Sequence, residues 1–354
     1  MANNKFIKHY NHQKKQFHAD LRQGKRELLF VDKKGRAFDT CSAKGEDYVC
    51  CNVKVLKSVS NCPFECSYCF LQDYLNNAQM QVVTNTAALI KEVEDYLLKK
   101  PDAFIRVGTW ELGDSLALEK ESGQARSLIE AFAKIPQAVL ELKTKSDAVS
   151  TILDANHCGR TVVSWSMNSE EICLKEEYKT ASLMQRINAA KRCQDAGYLI
   201  GLHFEPLMIY DGWEQGYRHM LEAIFSHIDT SKVAWMSMGS LRFNPKMRLS
   251  MQRLYPASKA LENEMIQGPD GKMRYLKAQR KKLYQTFYQD LCAVLDQDHL
   301  GPLNASRPKT PMLYLCMERW DMFRAVFGQV PDSTAHLEAL FTASLQQRFA
   351  YLFK

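Results

Sequence analysis

Nowhere in these 354 residues does an apolar run approach the ~20 residues that a bilayer-spanning helix needs. The amino terminus, MANNKFIKHYNHQ, has no apolar core of the kind a secretory signal carries. No membrane contact is therefore expected, and the expected compartment is the cytoplasm. No G-x-G-x-x-G and no Walker loop follows the first strand-like segment, so the commonest nucleotide-binding turns are missing. Internal repeats and low-complexity tracts are also absent, which excludes solenoids and linker-rich architectures. The eleven cysteines are odd in number and show no even framework. That argues against a disulfide-stapled secreted scaffold and for a reducing environment.

What is present is ordinary for a large globular core: 46% apolar and 25% charged residues. The net charge of +7 is concentrated at one end. Residues 1–36 hold Lys5, Lys8, Lys14, Lys15, Arg22, Lys25, Arg26, Lys33, Lys34 and Arg36 against only Asp20, Glu27 and Asp32. With His9, His12, His18, Phe6, Tyr10 and Phe17 among them, this arm reads either as a phosphate-contacting segment or as a solvated tail.

The stretch with most chemical content is NCPFECSYCFLQ, residues 61–72, which places Cys62, Cys66 and Cys69 at C-x3-C-x2-C with Tyr68 before the last. Three thiolates are one short of a closed tetrahedral zinc site or a fully ligated four-iron cluster. A [4Fe-4S] cube on three cysteines leaves one iron open to a chelating ligand. The other reading is zinc-binding or buried cysteines, with Cys50 or Cys51 as a fourth ligand. It is weakened because only Cys66 and Cys69 have knuckle spacing. Cys41, Cys50 and Cys51 are assigned no role. The triad, with an aromatic in the slot before its third cysteine, resembles the signature of the radical S-adenosylmethionine superfamily. That resemblance implies a [4Fe-4S] cluster and S-adenosylmethionine as cofactors.

The periodicity predicts alternating elements from residue 53 onward: strands at 53–60, 104–109, 138–144, 161–167, 199–205 and 233–238, and helices at 84–99, 119–134, 147–155, 179–196 and 213–228. Thr84-Asn85-Thr86 and Ser182 read as helix starts and Gly197 as a stop. Six strands and five crossovers point to an α/β fold with a parallel sheet curled into a partial (β/α)6 TIM-like barrel, its site at the C-terminal strand ends. A flat doubly wound sheet is the alternative. The domain reading is a basic arm and irregular lead-in at 1–52, the barrel at 53–240 and a mostly helical extension at 241–354. In that extension a long helix is expected with Met273, Leu276, Leu283, Phe287, Leu291 and Val294 on its core face and Lys272, Arg274, Lys277, Lys281 and Lys282 opposite.

Polar residues recur at the predicted strand ends: Glu111, Asp114 and Ser115 after the second, Lys145 after the third, Ser166 and Asn168 after the fourth, His203 and Glu205 in the fifth. Together with CFLQ after the triad, SMNS, AGYLIGLHFEP, IYDGWEQGYRH and GKMRYLKAQR, these segments resemble the spore photoproduct lyase family, DNA-repair enzymes of the radical superfamily, over roughly residues 55–290. The resemblance implies that Lys145 and Ser166 contact the carboxylate and ribose of S-adenosylmethionine. It places Ser115 nearby and Tyr68 at the adenine and in catalysis. It also implies a DNA substrate and an external electron donor such as flavodoxin or ferredoxin.

Two positions depart from the family. Its members return a hydrogen atom to the product radical from a cysteine after the second strand, where this chain has Leu112-Gly113-Asp114. They also carry a tyrosine after the third cluster cysteine, where this chain has Phe70. The expectation is an enzyme that cleaves S-adenosylmethionine but reverses spore photoproduct poorly. Cys158 and Cys316 are the substitute thiols considered, the former at the far end of the barrel. A radical enzyme with another substrate, or a zinc- or cluster-bearing nucleic-acid-binding protein without catalysis, are the alternatives.

Overall fold

The computed structural model describes residues 23–41, 48–75, 77–304 and 310–353. Its centre is an eight-stranded sheet whose spatial order is the order of the chain. We number its strands β1 (Phe38–Thr40), β2 (Lys54–Leu56), β3 (Ile105–Gly108), β4 (Ala138–Thr144), β5 (Thr161–Ser166), β6 (Leu199–Leu207), β7 (Val233–Ser240) and β8 (Met312–Leu315). From β2 to β8 every neighbouring pair is parallel, and β1 joins β2 antiparallel. Parallel strands covered on both faces read as continuous apolar runs, and β5 and β7 are buried at every position. The curled half-barrel of an α/β fold is thus observed, with eight strands rather than six. Both additions come from segments without a strand signal, the lead-in for β1 and the expected helical extension for β8.

The helices of eight residues or more among the described residues are α1 (Thr86–Leu98), α2 (Gln124–Phe132), α3 (Leu183–Asp195), α4 (Trp213–Phe225), α5 (Met247–Leu254), α6 (Lys277–Val294), α7 (Trp320–Phe327) and α8 (Thr334–Arg348). Their starts follow the expected chemistry. The Asn85 side chain accepts from the Ala88 amide at the head of α1, and Ser182 and Gln185 form a capping box on α3. Four expectations are corrected. The helix read at 119–134 is broken at Gly123, which takes a left-handed φ of +60°. There the buried Glu119 carboxylate accepts from the amides of Ala125 (2.6 Å) and Arg126 (3.1 Å), capping α2 anew. No helix forms at 147–155. That crossover is a string of turns whose carbonyls are claimed from outside, Thr151 O by Arg126 and Ile152 O by the Tyr198 hydroxyl.

The strand read at 53–60 is two strands. Lys54–Leu56 stays in the barrel, while Val59–Ser60 pairs antiparallel with Met80–Val83, itself parallel to Leu28–Val31. Finally, Met273 and Arg274 belong to a strand, Met273–Tyr275, rather than to α6. Arg274 is buried, with its guanidinium 2.5 Å from Asp270, and is no part of a solvated basic face.

Of the basic arm, Leu28–Val31 is therefore folded, Lys33 pairs with Glu92 at 2.5 Å, and Lys25 donates to the Phe64 carbonyl in the cysteine loop. Phe6, Tyr10, Phe17 and the three histidines of the arm lie outside the described residues. No helix among the described residues is long and apolar enough to cross a membrane.

A short antiparallel ladder, Tyr48–Val49 with Glu318–Arg319, bridges the gap between the two edges of the curled sheet. Helix α8 closes the same seam below it. Phe341 packs edge-on against Trp235 and Tyr314, and Glu338 accepts from the Asn52 side chain at 2.7 Å.

Candidate functional site at the C-terminal edge of the sheet

The cysteine loop begins at Asn61, held at a left-handed φ of +66°. Its side-chain oxygen accepts from the Cys62 amide at 2.8 Å and its nitrogen donates to the Ala78 carbonyl at 2.6 Å. The Cys69 amide closes a turn onto the Cys66 carbonyl, and the Gln72 side chain donates to the carbonyls of Cys66 and Ser67. Cys62 and Cys66 are buried and Cys69 is half-buried. Burial first, then the carboxylate of Asp114 for Cys62 and of Glu177 for Cys66, and after these the neighbouring cysteines, push both thiols above their ordinary range.

What seats this loop is a pair of acids with no motif to announce them. Cys66 faces Glu177 in a two-residue antiparallel ladder, Glu65–Cys66 against Glu177–Tyr178. The Glu176 carboxylate accepts from the hydroxyls of Ser67 and Ser258 and from the Lys259 amide. Fully buried Glu177 accepts from the Tyr68 hydroxyl, meets Arg186 at 2.6 Å, and stands 3.6 Å from the Lys145 ammonium. Burial opposes the charged form of Glu177, but Arg186 and Lys145 outweigh it and hold the acid at about 2. Arg186 also donates to the backbone carbonyl of Ser166 at 2.8 Å, so one guanidinium joins the end of β5 to the loop.

Lys145 lies 6.0 Å over the Tyr68 ring. Its backbone is fixed by Asp114, whose carboxylate accepts from the Lys145 amide (2.7 Å), the Thr144 hydroxyl (2.6 Å) and the amides of Leu116 and Ala117. Ser115 accepts from the Thr109 hydroxyl at 2.7 Å and from the Lys143 amide at 3.1 Å, which leaves its own proton to donate. Tyr68, Lys145 and Cys66 are thus brought together around Glu177, with Ser166 joined through Arg186. Ser115 stands one strand over.

A second polar centre lines the barrel interior. One oxygen of buried Glu141 accepts from the Ser164 hydroxyl (2.6 Å) and the Trp235 indole (2.9 Å) and lies 2.7 Å from His203 Nε2. His203 Nδ1 sits 2.6 Å from Ser237 Oγ, whose hydroxyl donates to Glu205. Lys143 pairs with Glu205 at 3.3 Å. His203 and Glu205 were legible as strand-end polar groups. Glu141, Lys143, Glu176, Glu177 and Arg186 were not, although the inward alternation of Glu141 and Lys143 with Lys145 along one strand was an available signal.

Two further placements bear on chemistry. Gly113 abuts the loop: a Cβ there would lie 2.7 Å from the Asn61 carbonyl oxygen and 2.8 Å from Val59, so this packing leaves no room for a thiol-bearing residue at that position. Phe70 is exposed, its ring edge-on to Tyr74. Cys158 is exposed ahead of β5, at the opposite end of the barrel, whereas Cys316 follows β8 at the site's edge with Arg242 donating to its sulfur at 3.4 Å.

Among the described residues no group of three or more His, Cys, Asp or Glu side chains is arranged as a single-metal site. In donor chemistry, three neighbouring thiols on one loop fit the cube.

Comparison with known proteins agrees with this architecture. The sequence profile of the family described as spore photoproduct lyase matches residues 11–300. The spore photoproduct lyase of Bacillus subtilis (strain 168) is 25% identical over 241 residues, 67% of this chain and 68% of that one. That of Clostridium acetobutylicum is 24% identical over 239 residues, with the same coverage. A solved mutant spore photoproduct lyase with bound S-adenosylmethionine and dinucleoside spore photoproduct superposes with a TM-score of 0.70 at 21% identity, covering 83% of each chain. A further solved structure, a spore photoproduct lyase complexed with dinucleoside spore photoproduct, superposes at 0.69 with the same coverage. These relatives are enzymes, and the match over most of the sequence establishes that this chain belongs to the spore photoproduct lyase family.

Proposed function

We propose that this protein is a radical S-adenosylmethionine enzyme acting on a DNA lesion, with Cys62, Cys66 and Cys69 holding a [4Fe-4S] cluster and Tyr68, Ser115, Lys145 and Ser166 binding the cofactor. When bound, the cluster and S-adenosylmethionine supply a 5′-deoxyadenosyl radical able to abstract hydrogen from a C–H bond. The observation that carries the reading is the shared anchor: Cys66, Tyr68 and Lys145 all meet at Glu177, so the cysteine loop and a cofactor-sized set of polar groups form one rigid edge.

The residues divide the work. Cys62, Cys66 and Cys69 would hold the cluster as thiolates, whose charge the metal would offset in a loop where burial otherwise favours the neutral thiols of Cys62 and Cys66. Lys145, fixed from behind by Asp114, offers an ammonium to a carboxylate. Ser115 has a proton free to donate to a hydroxyl-rich ligand. Tyr68 donates its proton to Glu177, and burial first, then that carboxylate, keep it protonated. The DNA class of substrate rests on the relative solved with a dinucleoside lesion. The required electron would come from an external donor such as flavodoxin or ferredoxin. None of the eleven cysteines is joined in a disulfide, in keeping with a reducing cytoplasm.

Hydrogen return is where this chain departs from its relatives. The loop at Leu112 to Asp114 carries no thiol, and Cys316 is the thiol at the same edge of the sheet. The test is anaerobic reconstitution of wild type, Cys66→Ala and Cys50→Ala, assayed for iron, sulfide and conversion of S-adenosylmethionine to 5′-deoxyadenosine. Loss of all three in Cys66→Ala alone is the expected result. Retention of the cluster in Cys66→Ala with its loss in Cys50→Ala would overturn the assignment.

A further inference from the structure

Three cations share one face of the small sheet at the barrel mouth, and only one of them is neutralised. In that sheet Arg242–Phe243, just past the end of β7, pairs antiparallel with Met273–Tyr275, which forms a hairpin with Met265–Gln267. The register sets Arg242 directly opposite Arg274. Lys272, two residues before Arg274, falls on the same face by the alternation of a strand. The contacts agree, because all three side chains reach the chain that leaves β8. Arg242 donates to the Cys316 sulfur at 3.4 Å, the Lys272 ammonium lies 3.8 Å from the Met317 sulfur, and Arg274 donates to the Met317 carbonyl at 3.2 Å.

The acids nearby are already committed. Asp270 meets Arg274 at 2.5 Å, and Glu318 is met by Arg280 at 3.1 Å and by the Tyr284 hydroxyl at 3.0 Å. Glu205 accepts from Ser237 and pairs with Lys143. Among the described residues neither Arg242 nor Lys272 has a carboxylate partner. Arg242 gives one N–H to the Ser240 carbonyl and one to the Cys316 sulfur, both at 3.4 Å, and Lys272 meets only a thioether, so most of their donors are unused. Like charges facing one another destabilise an antiparallel pair. Burial first, and then Arg242, hold the Lys272 ammonium below its ordinary range. Both side chains are only half-buried, so a ligand can still reach them. The place is within the candidate site. A Cβ on Gly239, near the end of β7, would lie 3.0 Å from Arg242 Nη1 and 3.1 Å from Glu205 Cγ, so the guanidinium is laid against the Glu205 side chain. Glu205 in turn pairs with Lys143, two residues before Lys145. The two surplus cations thus stand along the sheet edge from the cofactor groups of β4, with β5 and β6 between.

We propose that Arg242 and Lys272 form a phosphodiester subsite that grips the phosphate joining the two nucleosides of the DNA lesion. This rests on the reading of the substrate as a DNA lesion and adds to it a place for the anion that a dinucleotide lesion carries. The non-bridging oxygens of a phosphodiester share one negative charge, which a guanidinium fork can meet from one side and an ammonium from the other. A bound phosphate supplies the counter-charge that the fold withholds from both cations, and it occupies donors that sulfur fills weakly. Arg274, on the same face but matched by Asp270 and buried, is left out of the subsite.

The experiment measures equilibrium binding of two forms of spore photoproduct to the full-length protein, reconstituted and without reductant: the dinucleotide, which has the bridging phosphate, and the dinucleoside, which lacks it. Wild type should bind the dinucleotide tighter by about tenfold or more, as charge-assisted hydrogen bonds to one phosphate provide. Arg242→Gln and Lys272→Gln should each shrink that ratio, and the double variant should bring it close to one. A purely structural role would lower both affinities and leave the ratio standing. Equal wild-type affinities for the two forms would overturn the proposal without requiring any variant to fold, and so would a full ratio in the double variant. A second measurement separates the subsite from the lesion reading. Acylation of Lys272 by a water-soluble amine reagent is followed by peptide mass spectrometry with undamaged dithymidine phosphate, thymidine or inorganic phosphate present. Slower labelling with dithymidine phosphate alone is expected. That protection in a protein that binds neither form of the lesion would support the phosphodiester subsite and overturn only the lesion reading. No protection, or equal protection by inorganic phosphate, would overturn the subsite whatever the substrate.

Discussion

The two buried acids at the heart of this protein, Glu177 beside the cysteine loop and Glu141 inside the barrel, solve the same problem with different partners. Glu177 is held by two permanent cations, Arg186 and Lys145, and by the Tyr68 hydroxyl. Glu141 is met by a hydroxyl, an indole N–H and an imidazole. Burial works against its charge, but His203 first, then the Ser164 hydroxyl and Arg106, hold the acid below the ordinary carboxylate range. The first centre joins the cysteine loop, the end of β4 and the end of β5, none of them neighbours in sequence. The second is internal to the sheet, each partner standing on a β-strand already in register. An ion pair that ties a functional loop to the barrel is the more expensive to break, because it strands the fully buried Arg186 guanidinium without its counter-charge.

The sharpest way to break that contrast is to remove each acid. Glu177→Ala should cost about 3–5 kcal/mol in denaturant unfolding, the usual result of leaving a buried cation unpaired. Glu141→Gln, which keeps a side-chain oxygen as acceptor, should cost about 1–3 kcal/mol. A larger loss from Glu141→Gln would reverse the ranking of the two centres.

Acid titration sharpens the comparison next. Because the folded state depresses Glu177 to about 2, its stabilisation is complete above its ordinary pKa near 4.5 and is lost as pH falls from there toward 2. Wild type should therefore lose stability more steeply than Glu177→Gln between pH 4.5 and 2.5. Parallel curves would show that the ion pair contributes nothing.

Function separates the centres by the lysine each one holds. Lys145→Ala should weaken S-adenosylmethionine binding by about tenfold or more, the loss of one charge-assisted hydrogen bond at ~1.5–3 kcal/mol. Lys143→Ala, whose ammonium serves Glu205, should leave the cofactor dissociation constant within about twofold, less than the ~1.4 kcal/mol that a tenfold change represents. Equal losses measured by equilibrium binding would merge the two sites.

Product analysis probes the hydrogen-return step. With dinucleoside spore photoproduct and a low-potential reductant, the enzyme should form 5′-deoxyadenosine while giving few clean thymine products. Efficient, adduct-free repair unchanged by Cys316→Ala and by Cys158→Ala would show that the missing thiol at Leu112 to Asp114 is immaterial. The smallest effect expected lies outside both centres. Deleting residues 1–22 should reduce any affinity for DNA and flatten its dependence on salt, if the basic arm contacts phosphates. Identical salt slopes with and without those residues would make the arm an inert tail.

Most of the barrel was legible because parallel strands buried on both faces leave apolar, β-branched runs, and residues 138–144, 161–167, 199–205 and 233–238 are such runs. The cysteine triad and the polar strand ends were legible for another local reason, since a ligand set on one loop and side chains at successive strand termini carry their spacing in the chain. Tertiary structure alone decided the rest. Strands β1 and β8 consist of three and four residues, too few for a period, and exist only because the sheet edges offer them hydrogen bonds. The break at Gly123 and the turns at 147–155 follow from distant groups, Glu119, Arg126 and Tyr198, claiming backbone that a local pattern assigns to helix. Glu177 and Arg186, nine residues apart in a segment with no motif, became the anchor of the site when the fold closed water away from them and left each the other's nearest counter-charge. The pairing of Tyr48–Val49 with Glu318–Arg319, separated by nearly the whole barrel in sequence, is likewise a property of ring closure, which local pattern does not encode.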